Sequence, residues 1–370
     1  MALNSTRAII HLENYRKNIR AARGKIGPHP KICLPVKADA YGHGSVPISR
    51  CGLEAGAEYL AVAFVPEAVE LRAAGITAPI LVLSQATPEG LTVILSNDLT
   101  PMVSDADFID EAARAAEKAG KKLNVHLKID TGMRRLGCTP EDAVSLAVKI
   151  SSHKWLNLEG IATHLSVSDS PDPGDIAFTK EQLARFRDVV VSVEKAGINP
   201  GIVHAANSGG LVFHEDSYFD MIRPGIYLYG YSPASGNGLS AEPVMELRSI
   251  VSLVKKVKKG DAVSYGRTWT APEDTFIGVI PIGYADGFRR SLGNNHSVQI
   301  RGKTYPMVGR VCMDNTMVNL GSETEVRRWD DVTIFGPGFT NAADVAEKLN
   351  TIPYEITCGI SKRVPREYTG

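Results

Sequence analysis

Between about residues 30 and 225, short apolar runs alternate with segments of helical periodicity. The runs lie near Ile32–Val36, Tyr59–Phe64, Ile80–Leu83, Thr100–Val103, Leu123–Ile129, Leu158–His164, Ile202–Ala206 and Asp220–Ile222. They lose the apolar–polar alternation of a half-exposed strand, as strands covered on both faces do. Helical patterns fill the gaps, most clearly over Ala106–Ala119, Pro140–Ile150 and Ile176–Ala196. Eight such strand–helix units predict an α/β fold, a (β/α)8 TIM barrel. A doubly wound open sheet is the architectural alternative, but its glycine fingerprint is missing from this stretch.

Past a Pro-, Gly-, Ser- and Asn-rich linker over Ser232–Pro243 the pattern changes. Val244–Val257, Ala262–Tyr265, Thr275–Pro281, Val298–Ile300, Met307–Val311, Met317–Leu320 and Asp331–Phe335 read as strands, and Ala342–Leu349 as a late helix. This predicts two domains: a barrel over 1–238 and a mostly antiparallel β domain over 239–370. The N-terminal residues, up to about residue 10, can pack on the second domain instead of the barrel.

Composition narrows the classes. The chain has 370 residues, enough for two cores, and 44% of them are hydrophobic. Lys+Arg and Asp+Glu both number 41, so nothing asks for nucleic acid or an anionic membrane. The short basic run Lys255–Lys259 fits a solvated strand face. No segment reads as a signal peptide or approaches the ~20 apolar residues of a membrane span. The five cysteines are dispersed and form no C-x-x-C pair, which suits a reducing cytoplasm. No Cys/His cluster has zinc spacing, so no metal is expected. No Walker loop or G-x-G-x-x-G supports nucleotide chemistry.

Candidate chemistry gathers at the carboxyl ends of the predicted barrel strands, where such folds keep their active sites. Lys37 closes the first apolar run and is followed by Ala38-Asp39-Ala40-Tyr41-Gly42-His43-Gly44. Burial lowers a lysine's pKa and makes its amine a nucleophile able to form a Schiff base. A lysine that snorkels from a strand end is the plainer alternative. Lys128-Ile129-Asp130-Thr131-Gly132-Met133-Arg134-Arg135 ends strand five, His164 strand six, Asn207-Ser208-Gly209 strand seven and Arg223-Pro224-Gly225-Ile226 strand eight. The last two loops are where barrels often hold a phosphate. A helix starting near Ser208 would add its positive end. A nucleophilic lysine facing a phosphate cradle suits a cofactor with an aldehyde and a phosphate, and pyridoxal 5'-phosphate fits both.

The segment Leu34-Pro35-Val36-Lys37-Ala38-Asp39-Ala40-Tyr41-Gly42-His43-Gly44 resembles the pyridoxal-phosphate signature of the bacterial alanine racemase family. The resemblance continues in order through Asp130-Thr131-Gly132-Met133, Ala206-Asn207-Ser208 and Arg223-Pro224-Gly225-Ile226-Tyr227-Leu228-Tyr229-Gly230. It runs on through Val263-Ser264-Tyr265-Gly266-Arg267-Thr268-Trp269, Pro281-Ile282-Gly283-Tyr284-Ala285-Asp286-Gly287 and Gly309-Arg310-Val311-Cys312-Met313-Asp314, and so spans nearly the whole chain. It implies an isomerase that interconverts L- and D-alanine by a two-base mechanism and supplies D-alanine for cell-wall peptidoglycan. It also implies a cytoplasmic homodimer whose active sites are each completed by the partner's β domain.

By that resemblance Lys37 is the Schiff-base lysine and Tyr265 of the other subunit is the second base. Inverting a stereocentre needs a proton removed from one face and another delivered to the opposite one, so two groups must reach that carbon. Arg223 is similar to the family's partner to the pyridine nitrogen, and His164 to the residue that buttresses this arginine. Tyr41, Ser208, Gly225, Ile226 and Tyr354 match the phosphate-contacting set. Arg135 matches the contact to the cofactor's phenolic oxygen and the substrate carboxylate; Arg134 beside it departs from the usual small or polar residue. Met313 matches a backbone contact to the carboxylate, and Lys128 a lysine carbamylated in some members. Tyr284, Arg290, Arg310 and Ile352 match the substrate entryway, whose narrow aromatic walls favour a methyl side chain.

Three other readings stand beside this one. A barrel-type pyridoxal-phosphate amino-acid decarboxylase shares the plan but places an acid at the ring nitrogen, where this chain has Arg223. A broader-specificity racemase would share all of the above. A noncatalytic carrier of the cofactor would be a lone barrel without the domain that bears Tyr265.

Overall fold

A computed structural model of the chain describes residues 5–233 and 239–370. The chain opens with β1 (Arg7–His11) and then enters the barrel. Its strands are β2 (Lys31–Pro35), β3 (Tyr59–Val62), β4 (Ile80–Val82), β5 (Thr100–Val103), β6 (Leu123–Lys128), β7 (Leu156–Ala162), β8 (Ile202–His204) and β9 (Met221–Ile222). They form one eight-stranded parallel sheet in the order β8-β7-β6-β5-β4-β3-β2-β9. The seam between its ends is closed by Asp220, whose N–H donates to the Val203 carbonyl at 2.9 Å while its carboxylate accepts from the Val203 N–H at 2.8 Å. The apolar runs near these positions therefore formed strands, and the (β/α)8 architecture is present.

Alternation survives inside those runs. Ile32 and Leu34 of β2 pack outward with the helices, whereas Cys33 joins Tyr59, Ala61, Leu81 and Met221 in a separate cluster. Three connecting helices begin the same way. Thr87-Pro88, Thr139-Pro140 and Asp172-Pro173 each place an N-cap oxygen on a free N–H and a proline at the first helical position. The helices they open run Pro88–Ser96, Pro140–Ser152 and Pro173–Lys195.

The second half is mostly antiparallel. It comprises β10 (Met245–Ile250), β11 (Leu253–Val257), β12 (Ala262–Val263), β13 (Trp269–Thr270), β14 (Thr275–Ile280), β15 (Ser297–Ile300), β16 (Lys303–Pro306), β17 (Thr316–Gly321), β18 (Asp331–Phe335) and β19 (Arg366–Thr369). One sheet has the order β16-β15-β18-β10-β1-β19, so the first strand of the chain sits in this layer, between β10 and the last strand. A second sheet is β11-β14-β17 and a third is the pair β12-β13. The long run expected over Val244–Val257 breaks in two, because β10 and β11 serve different sheets. The strand expected at Met307–Val311 falls instead on Lys303–Pro306. Pro306 has no N–H to extend the ladder and Gly309 turns it at φ 74°. The expected linker falls partly on residues 234–238, which lie outside the described residues.

One stretch of backbone decides where the site sits. Ala38, Asp39, Ala40 and Tyr41 follow Lys37 with φ of 52–55° and ψ of 35–52°, a left-handed turn made without glycine. Each such residue costs roughly 1–2 kcal/mol, so the surroundings must impose it. Glu67 accepts from the Ala38 N–H at 2.7 Å, and Asp39 from the Ser45 N–H at 2.7 Å. The buried His43 Nδ1–H donates to the carbonyls of Ala40 and Tyr41, both at 3.0 Å. Arg366, at the start of β19, donates to the Gly42 carbonyl at 3.0 Å. The turn is thus braced from both halves of the molecule.

Gly42 has φ 84°, and a Cβ there would lie 2.2 Å from the Thr357 carbonyl oxygen. Gly42→Ala is expected to lower the unfolding free energy by about 2 kcal/mol or more, from backbone strain and backbone overlap together. Urea unfolding followed by far-UV circular dichroism checks this; an unchanged midpoint would contradict the packing described.

Candidate functional site

The turn delivers Lys37 to the rim of a cavity of about 710 Å³ at the carboxyl ends of the barrel strands. Of the residues singled out in the sequence, Tyr41, Ser208, Gly225, Ile226 and Tyr354 line it. Lys128, Arg135, His164 and Arg223 line it too. The Tyr41 ring is held between Tyr229 and Tyr354, with centroid distances of 4.7 and 5.5 Å. Ser208 starts the helix Ser208–Phe213, which Asn207 caps by accepting from the Gly210 N–H at 2.9 Å, and its hydroxyl accepts from the Tyr227 N–H at 3.2 Å. Ile352 stands at the mouth, 55% exposed.

The cavity's chemistry is an excess of cations. Burial, and then the Arg135 guanidinium, push the Lys37 ammonium below the usual lysine range. Burial acts more strongly on Lys128, with Arg223 and Arg135 adding to it, and holds it well below that range. His164 lies far below the ordinary imidazole value, from burial first and then the charges of Lys128, Arg223, Arg135 and Lys37. Burial pushes Arg223 down to about 10, still cationic at neutral pH. An anion with several oxygens would relieve this strain, and neither carboxylate in the lining is buried: Asp169 is exposed, and Asp130, which offsets the shift of Lys128 in part, also accepts from the N–H groups of Gly132 and Arg134, at 2.9 and 3.0 Å.

Arg223 is fixed by donating to the carbonyls of Thr163 and Ala205, at 2.8 and 3.1 Å, and to Nδ1 of His204. The imidazole bonded to it is therefore His204. The buttress expected of His164 belongs to His204, because β8 turns its side chain into the barrel interior beside Arg223. His164 instead faces the cavity, and its carbonyl accepts from Gln182 at 3.2 Å.

The remaining residues lie elsewhere. Tyr265 opens a short 3-10 turn after β12 and is 71% exposed; Met313 is 53% and Tyr284 44% exposed. Arg290 and Arg310 are also exposed. Ser264 donates to the Arg310 carbonyl at 2.7 Å, and the Tyr284 and Ala285 N–H groups donate to the carbonyls of Cys312 and Met313, at 3.0 and 3.1 Å. Tyr265, Tyr284, Arg310 and Met313 thus share one connected surface of the β domain, and the lining of the Lys37 cavity includes none of them.

The chain matches the alanine racemase N-terminal domain family over residues 10–233 and the alanine racemase C-terminal domain family over residues 244–368. It belongs to the alanine racemase family. An alanine racemase of Treponema denticola is 50% identical over 98% of both chains, and one of Treponema pallidum is 44% identical over 100% of both. The solved alanine racemase of Clostridium difficile 630 superposes with a TM-score of 0.95 at 35% identity, over 100% of this chain and 97% of that one. An alanine racemase of Bacillus anthracis solved with bound L-Ala-P gives 0.92 at 34%, over 100% and 96%. The activity is that of the family, racemisation of alanine, and the enzyme is an isomerase. Among the described residues no helix is long and apolar enough to cross a membrane.

The sequence reading missed His204, Thr163, His126 and Glu159. All four sit inside apolar runs read only as strands, and the two-residue alternation of β6 and β8, which turns His126 and His204 inward, was the available signal.

In the ligand-free protein, Arg135→Gln should raise the Lys37 pKa, because a neighbouring cation is removed. Acylation of Lys37 at pH 8 should then slow, because less of the amine is unprotonated. Peptide mapping by mass spectrometry reads this, and an unchanged rate would remove Arg135 from the electrostatics of Lys37.

Proposed function

We propose that the cavity holds pyridoxal 5'-phosphate and that the chain works as a homodimer with shared sites. The observation that carries this reading is the separation just described: an activated amine and a cluster of cations in one cavity, and an exposed phenol with its neighbours on another surface. Tyr41, Ser208, Gly225, Ile226 and Tyr354 would hold the phosphate. Arg223 would face the ring nitrogen, Arg135 the phenolic oxygen and the substrate carboxylate, and Lys37 the aldehyde carbon. When bound, the cofactor supplies an aldehyde that condenses with amines and a ring that withdraws electrons from the substrate Cα–H bond.

The chain's own residues divide the proton traffic. Lys37 stands on one face of the substrate carbon and takes or returns the proton there. The partner subunit's Tyr265 does the same on the other face. A proton leaves Cα to one base, another arrives from the second base's conjugate acid, and the configuration inverts without net oxidation. Arginine stays protonated, so Arg223 would donate to the ring nitrogen without giving up a proton. That favours prompt reprotonation over side reactions. Met313 would add a backbone contact to the carboxylate. Tyr284, Arg290, Arg310 and Ile352 would form the entryway, and Tyr354 and Tyr284 would narrow it to a methyl side chain. Carbamylation of Lys128 would turn one of the cavity's cations into an anion beside Arg135.

On this reading the barrel ends near residue 238, and the domain after it serves the neighbouring subunit. Its place is the cytoplasm, and its product enters peptidoglycan.

Complementation tests the shared site. Lys37→Ala and Tyr265→Ala are each expected to lose nearly all racemase activity. Unfolded and refolded together in equal amounts, they should recover about a quarter of wild-type activity, since random pairing makes about half the dimers mixed and each mixed dimer has one intact site. No recovery, with mixed dimers shown by mass spectrometry, would place both bases on one chain.

A further inference from the structure

A line of side chains runs from Arg223 into the barrel interior, and beyond Arg223 the reaction described above uses none of them. Arg223 donates to Nδ1 of His204. Nε2 of His204 lies 2.8 Å from Nδ1 of His126, and Nε2 of His126 lies 3.1 Å from a carboxylate oxygen of Glu159. Asn124 donates to the other Glu159 oxygen at 2.8 Å, and Asn157 holds Asn124 at 3.0 Å. Both imidazoles are fully buried, and the Glu159 side chain is 20% exposed.

Donor and acceptor rules allow one arrangement of protons along this line. A guanidinium only donates, so the His204 nitrogen facing it must carry a lone pair. His204 then bears its proton on Nε2 and donates to His126. His126 in turn accepts at Nδ1, bears its proton on Nε2 and donates to the ionised Glu159. The chain closes only with two neutral imidazoles of the same tautomer and a carboxylate at its end. Burial lowers the pKa of both, that of His204 far below the ordinary value, with the Arg223 charge adding to it.

Backbone geometry is adapted to this line. Along β6 and β7 the register passes from Val125 opposite Leu158 to His126 opposite Gly160, so Glu159 is the extra residue of a β-bulge. A bulge re-aims a side chain that would otherwise follow the alternation. Gly160 leaves room for the ring, since a Cβ there would lie 2.6 Å from Cε1 and 2.7 Å from Nδ1 of His126.

We propose that Glu159 and His126 are positioning residues for Arg223, fixing the tautomer of His204 so that only a lone pair meets the guanidinium. Because that carboxylate lies at the far end of the line, it acts on the reaction without touching substrate. The consequence for catalysis rests on Arg223 serving the cofactor's ring nitrogen. The proton arrangement does not, so the two fail separately.

The proton arrangement is read from the full-length protein labelled with 15N-histidine, by nitrogen chemical shifts, with His126→Gln used to assign the signals. His126 and His204 should each show a protonated Nε2 and a bare Nδ1 from pH 6 to 9, with and without pyridoxal phosphate. A protonated Nδ1 or a doubly protonated ring on His204 would overturn the proposal. Glu159→Leu should introduce a second tautomer at His126, shift the visible absorption of the loaded enzyme, and lower kcat for alanine about tenfold or more with KM within about threefold. Glu159→Gln keeps an acceptor and should restore kcat to within about threefold of wild type. Loss of kcat in both variants with unchanged nitrogen shifts would also overturn the proposal.

Discussion

Unbalanced positive charge at one end of a closed barrel is the constraint on which the rest of the molecule depends. Lys37, Lys128, Arg135 and Arg223 converge on one cavity. Desolvation is the leading cause of the depressed pKa at both lysines, so the cavity weakens its own ammonium groups before any ligand arrives. This is how a lysine becomes a base and nucleophile near neutrality. The same charge makes the cavity a receptor for phosphate and carboxylate oxygens. On the proposed reading, one field would both activate the amine and select its ligands.

Holding cations there takes structure that contributes little to stability by itself. Four residues in a left-handed turn set the position of Lys37, and the braces on that turn come from Glu67 in the barrel and Arg366 in β19. Strain of this kind persists only where surrounding contacts over-determine it. The C-terminal strand therefore serves the lysine as well as its own sheet. Tyr265 and its neighbours show the complementary feature, an aromatic and basic surface left exposed by the chain that carries it. On the proposed reading, this exposed surface and the Lys37 cavity of a second copy would be two halves of one site.

Much of this was legible from residue order. The barrel strands showed as short apolar runs because helices and interior side chains cover both their faces. Lys37, Lys128, His164, Ser208 and Arg223 stood out by their position at strand ends, whereas Tyr41 and Tyr354 were found only through the family resemblance. The left-handed turn was hidden, since Ala-Asp-Ala-Tyr carries no glycine to announce positive φ and only tertiary contacts impose it. The family resemblance had matched the partner of Arg223 to His164, a strand-end histidine, while His204, which holds that bond, lay within a run read as plain strand. Glu159 was invisible for a related reason: alternation assigns residues to a face, and the bulge that redirects Glu159 appears only when β6 and β7 are paired.

A crystal structure of the protein grown with pyridoxal phosphate tests the central claim most directly. The account predicts continuous density from the Lys37 amine to the cofactor, with its ring nitrogen at Arg223. It places the partner subunit's Tyr265 hydroxyl on the ring face opposite that amine, within about 4 Å of the substrate carbon's position. A Tyr265 from the same chain there, or a phenol on the lysine's side of the ring, would contradict it.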